Sequence, residues 1–71
     1  MATLTFTIEE HLGVLSENAN GWTKELNLVS WNERPAKYDI REWDEEHQRM
    51  SKGITLTEDE VAELKEILNK R

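Results

Sequence analysis

WNERPAKYDIREW, running from Trp31 to Trp43, is the stretch that decides the fold. From Ala36 onward it alternates as a strand does, with side chains switching faces at every residue. Ala36, Tyr38 and Ile40 share a face suited to a core. Lys37, Asp39, Arg41 and Trp43 share the other, which therefore carries two cations and an aromatic ring, bounded upstream by Trp31 and Arg34. Cations that meet phosphates, interleaved with rings that stack on bases, suit an unpaired nucleic-acid strand. A half-buried amphipathic strand whose charges pair with neighbouring strands has the same pattern. This stretch alone leaves both readings open.

Working upstream, Trp22 to Trp31 reads as a second strand, with Leu26 and Leu28 toward the core and Asn27, Val29 and Trp31 on the other face. Lys24 falls on the core parity near the strand end, where its stem can lie over apolar surface while the ammonium reaches water. Asn32-Glu-Arg-Pro35 is the turn into the third strand, and Pro35, lacking an N–H, belongs at that strand's beginning. Ser16-Glu-Asn-Ala-Asn-Gly21 is the preceding turn, because Asn and Gly tolerate left-handed backbone. Thr3 to Leu15 is the first strand, with Leu4, Phe6, Ile8, Leu12 and Val14 on one parity. Glu10 interrupts that row, Gly13 marks a bulge or close approach, and His11 lies on the opposite face.

Downstream, Asp44 to Ser51 is a polar loop and Lys52 to Leu56 a short fourth strand. The last element is a helix. Thr57 followed by Glu60 forms a capping box, and Leu56 with Val61 forms a hydrophobic staple. Val61, Leu64 and Leu68 make an apolar stripe widened by Ile67. From Thr57 to Lys70 the helix spans roughly 21 Å at about 1.5 Å per residue, long enough to cross a four-stranded sheet.

Composition sets the boundaries. A chain of 71 residues is a single domain, 1–71, and such a domain buries only about 60% of its unfolded surface. It has no cysteine for disulfides or thiolate metal sites, which leaves homodimerisation as the expected supplement to a small core. Val61, Leu64, Ile67 and Leu68 are the expected dimer interface. No apolar run approaches a membrane span and no secretory signal is visible, so a cytoplasmic, nucleoid-associated protein is expected. The net charge of −6 excludes simple coating of nucleic acid; any such site must lie on the sheet, away from the acidic helix. Enzyme signatures are thin. Glu9 and Glu10 point to opposite faces, Asp44-Glu-Glu-His47 lacks metal-site spacing, and neither an activated nucleophile nor a phosphate-cradling loop is present. No cofactor, metal or small-molecule substrate is expected.

With these elements placed, the chain resembles the transcriptional positive cofactor 4 family of dimeric single-stranded DNA-binding proteins. Tyr38-Asp-Ile-Arg-Glu-Trp43, Lys52-Gly-Ile-Thr-Leu56 and Glu63-Leu-Lys-Glu66 carry the resemblance. The bacterial YdbC-type branch is more similar still, through His11-Leu-Gly-Val-Leu15 and Gly21 to Trp31, hence almost the whole chain. The resemblance implies an α+β fold: a four-stranded curved antiparallel sheet followed by one C-terminal helix (ββββα), paired into a homodimer through helices and last strands. It implies that Arg41 and Lys52 contact DNA, that Trp31 and Trp43 stack on bases, and that Arg34 and Lys37 contribute from the turn. With Lys24 and Asn27 of the second strand, these form the candidate nucleic-acid-binding set. The expected function is sequence-independent single-stranded DNA binding in support of transcription, replication or repair, without catalysis. The alternatives are an acidic-helix dimeric protein-interaction module, or RNA binding through the same groove. Eukaryotic members carry a Ser- and Lys-rich regulatory tail before the core, whereas this chain begins directly with the core.

Overall fold

The computed structural model describes residues 5–71; the expected start of the first strand at Thr3 and Leu4 lies outside them. Four strands and a helix follow in the expected order: β1 Phe6–Glu17, β2 Thr23–Trp31, β3 Lys37–Trp43, β4 Ile54–Leu56 and α1 Glu58–Asn69. The sheet is antiparallel throughout, in the order β1-β2-β3-β4. Local chemistry sets its corners. Gly21 adopts φ 89° and donates its N–H to the Asn18 carbonyl at 3.0 Å. Asn32 and Glu33 both have positive φ, with Arg34 N–H donating to the Trp31 carbonyl at 3.0 Å, as in a type I′ turn, here set within the longer connection between β2 and β3. Both bonds of the capping box form, Thr57 N–H to Glu60 Oε1 at 2.8 Å and Glu60 N–H to Thr57 Oγ1 at 3.2 Å.

The faces of the sheet differ from the alternation read in the sequence. β1 has 12 residues and β2 has 9, yet they pair end to end, because the register slips at three places and leaves Glu9, Leu12 and Leu15 as extra residues. Such bulges bend a strand and increase its twist. The resulting curvature is measurable. Phe6 pairs with Trp31 at one end of β2 and Trp43 pairs with Thr23 at the other. Eight residues separate those ends, about 26 Å at roughly 3.3 Å per residue. The Phe6 and Trp43 rings are nevertheless 5.1 Å apart. The sheet therefore closes around its Trp31–Trp43 side, which is concave.

That curvature overturns the expected core. Val29 and Trp43 have no exposure, and Glu25, Asn27 and Asp39 are buried beside them on the concave face. Leu26, Leu28, Tyr38 and Ile40, expected to be the core row, lie on the convex face and are half-buried. His11 also changes sides. The bulge at Glu9 brings it opposite Asn27, onto the face of Phe6 and Ile8.

The helix does not cover the sheet as its length had suggested. It touches only β3 and β4 and buries none of its residues, leaving Leu64, Ile67 and Leu68 exposed together with Ile54 of β4. No helix among the described residues is long and apolar enough to cross a membrane.

Candidate nucleic-acid interface

Arg41 is the centre of the concave side. It pairs with Glu25 across β2, six positions from Trp31, yet curvature brings its guanidinium carbon to 4.6 Å from the centroid of the Trp31 ring. That distance is within the reach of a cation–π contact. Arg41 Nε donates to Asp39 Oδ1 at 2.7 Å, and Nη1 donates to Met50 Sδ and to the Ser51 carbonyl, both at 3.4 Å. The result is a guanidinium over an indole ring, held at Nε and Nη1 by hydrogen bonds.

Lys52 reaches the same place through the backbone. The Ser51 N–H donates to the Glu42 carbonyl at 3.0 Å, and Ser51 Oγ accepts from the Glu42 N–H at 3.1 Å. Gly53 then crosses β3 so closely that a methyl group on it would overlap the Ile40 carbonyl and the Arg41 Cβ. Only glycine allows that approach, which places exposed Lys52 in the chain segment packed on Arg41. Lys37 is exposed opposite Val29, and Arg34 is exposed in the β2–β3 turn. Lys24 does not join them: it pairs with Glu42 across the sheet, on the convex face.

Phe6, which sequence reasoning assigned only to a core row, holds the aromatic cluster together. Its ring lies 5.9 Å from Trp31 and 5.1 Å from Trp43, tilted by 48° to each. The His47 ring covers Trp43 at 5.8 Å. Trp43 and Asn27 were expected on an open face and are instead fully enclosed. The reason is the same curvature, which turns the presumed platform into an interior. Trp31 remains half-buried and reachable.

Beneath this cluster is a polar network that sequence reasoning missed. Glu25, 2% exposed, accepts from Thr23 Oγ1 at 2.5 Å, from Asn27 Nδ2 at 3.1 Å and from His47 Nε2 at 2.9 Å. His11 Nδ1 stands 2.7 Å from Asn27 Oδ1 and 3.5 Å from Glu25 Oε1. The chain's two histidines thus converge on one carboxylate from β1 and from the β3–β4 loop, at an open recess of about 580 Å³. Burial pushes the Glu25 carboxyl up, but hydrogen bonds from Thr23, Asn27 and His47 and the positive field of His47 outweigh it and hold it below its ordinary value. Asp44 is also held low, first by the backbone N–H of Arg49, against some burial, then by that of Gln48 and the nearby charges of Arg49 and His47. No single residue signalled this network in the sequence, because it joins side chains of β1, β2 and the β3–β4 loop. Among the described residues no group of three or more His, Asp or Glu side chains is placed to hold a metal ion.

Three polar atoms buried on the concave side lack a partner among the described residues: Trp31 Nε1, Trp43 Nε1 and Asp39 Oδ2. Unpaired buried groups are costly and uncommon, and their gathering on one face sets that face apart.

Comparison with known proteins shows what the sequence is similar to. The sequence pattern described as Transcriptional Coactivator p15 (PC4) matches residues 18–67, from the first turn into the last helical turn. An uncharacterised protein of Treponema pallidum (strain Nichols) is 45% identical over 64 residues, covering 90% of this chain and 75% of that protein.

Proposed function

This chain belongs to the transcriptional coactivator p15 (PC4) family, and from that premise we propose that it binds single-stranded DNA without sequence preference, as a homodimer, through the concave side that carries Arg41 and Trp31. The family is one of non-enzymatic, single-stranded DNA-binding proteins with a transcription-related function. For this chain, the observation that carries the proposal is the Arg41 guanidinium lying 4.6 Å over the Trp31 ring. Stacking on an indole tolerates any base, because every base has a π-face, and exposed cations track the backbone. Lys37, opposite Val29 on β3, and Lys52, beside the Gly53 that packs on β3, are the exposed cations proposed to do so, with Arg34 exposed in the β2–β3 turn. Trp43 and Asn27 serve as the scaffold beneath it, and Lys24 stands apart.

Dimerisation is supported by the unpartnered apolar surface. Ile54, Leu64, Ile67 and Leu68 are each between 39% and 57% exposed on neighbouring elements. A second copy meeting this surface across a two-fold axis buries it on both subunits. Val61, half-buried at the start of the same stripe, completes it.

Tryptophan fluorescence titration with an unlabelled single strand and with the matching duplex tests the function. Quenching by the single strand at a concentration where the duplex has no effect is the expected result. Equal or stronger quenching by an RNA strand of the same sequence would make RNA the ligand. No response to any strand at low salt would leave the protein-interaction reading.

A further inference from the structure

Asp39 is unusual for a charged residue on a nucleic-acid-binding strand. It is fully buried, with one oxygen taking the Arg41 Nε–H at 2.7 Å and the other without a partner among the described residues. A buried carboxylate with an unfilled oxygen is a liability to the fold, so its presence there calls for a compensating task. That task is visible in what it holds. Arg41 is gripped at Nε by Asp39 and at Nη1 by Met50 and Ser51, while Nη2 has no hydrogen-bond partner among the described residues. The side chains of the pair are 14% and 0% exposed, so water screens their contact little. An arginine on a flexible stem loses much rotamer freedom on binding; one already held over Trp31 by Asp39, Met50 and Ser51 loses less.

We propose that Asp39 is a positioning residue: it orients Arg41 so that the guanidinium, held over the Trp31 ring, meets the nucleic-acid strand with its remaining Nη2–H groups. The proposal rests on the single-strand-binding reading above and deepens it. It also carries an inverted sign. Removing an acidic side chain from a DNA-binding surface ordinarily strengthens binding, because one more cation is freed for phosphate. If Asp39 positions Arg41, removing its charge weakens binding instead.

The test uses full-length protein, Asp39→Asn, Arg41→Lys and the double variant. Single-strand affinity is measured against salt, with a thermal melt on each variant. Asp39→Asn is expected to bind about tenfold more weakly, the scale of losing one charge-assisted hydrogen bond. Its salt slope is expected to match that of the wild type. In the Arg41→Lys background, Asp39→Asn is expected to add almost nothing, since the group it orients is gone. Tighter binding by Asp39→Asn, with a salt slope steeper by about 0.7, would show that Asp39 only neutralises Arg41 and would overturn the proposal. So would a loss that adds in full to that of Arg41→Lys.

If Asp39→Asn fails to fold, NMR relaxation of the Arg41 Nε–H in wild-type protein decides. A rigid signal before DNA is added is expected, and mobility equal to that of exposed Arg34 and Arg49 would refute the proposal. Failure of the wild type to bind any single strand would bring down the functional reading itself, an outcome distinct from all of these.

Discussion

Replacing Trp43 and Trp31 one at a time separates the two tryptophans of the concave side, which the alternation of the chain had grouped as equals. Trp43 has no exposure and lies against Phe6 and His47. Enclosing an indole removes roughly 200 Å² from water, worth about 5 kcal/mol at about 25 cal/mol per Å². Truncation to alanine should therefore cost about 3 to 5 kcal/mol. A chain of this size has about 4 to 11 kcal/mol in total, from about 0.05 to 0.15 per residue. Trp43→Ala is expected to be largely unfolded at 37 °C. Trp43→Phe, costing about 1 to 2 kcal/mol, should remain folded and melt roughly 5 to 15 °C lower. Below its melting point it should bind a single strand nearly as the wild type does. Trp31→Ala should show the reverse: a small change in melting and a loss of about 1 to 3 kcal/mol in binding, as for one lost stack. Circular-dichroism melts and fluorescence anisotropy with a labelled oligonucleotide provide both readings. A Trp43→Phe protein that melts with the wild type but binds poorly would refute the reasoning, because DNA would then be reaching a side chain that the curvature encloses.

Other outcomes follow from the same geometry. Glu25 is held below its ordinary value of 4.5 in the folded chain, so its contribution to stability is fully present above that value and is lost as pH falls through the lower folded value. Melting temperature should drop with acidification below about pH 4.5, and Glu25→Gln should flatten that drop; an unchanged profile in the variant would show that Glu25 does not govern it. Gly53→Ala should destabilise by about 1 to 3 kcal/mol through overlap with β3 and weaken single-strand binding by shifting Lys52 away from Arg41, which melting and anisotropy together would reveal. Leu64→Glu should yield monomers in light scattering, whereas a folded wild-type monomer at micromolar concentration would contradict the dimer.

What the chain disclosed depended on how far each signal reaches. The ends of the elements were legible because their causes are local. Thr57 and Glu60 lie within one turn of each other and form both capping bonds; Gly21 and Asn32 sit where the chain needs positive φ. The Tyr38–Trp43 and Lys52–Leu56 motifs were legible as a family resemblance, but the packing of one on the other was not. Its cause, the contact of Gly53 with the β3 backbone, belongs to the folded state. The apolar stripe of α1 was visible as a pattern, but its exposure was not, since a helix's own sequence does not say which surface it meets.

The residues by themselves determined four strands, one helix and the two sides of β3, because strand alternation and helix capping are set within a few bonds. Only the tertiary structure decided which side was inside. That choice came from three extra residues, Glu9, Leu12 and Leu15, inserted along β1 against β2. Each one reverses the parity of every residue before it relative to every residue after it, and together they bend the sheet around Phe6, Trp31 and Trp43. A period-two reading of β1 alone cannot contain that information, because a bulge is a relation between two strands: the partner's nine residues must be present before the twelve become three too many.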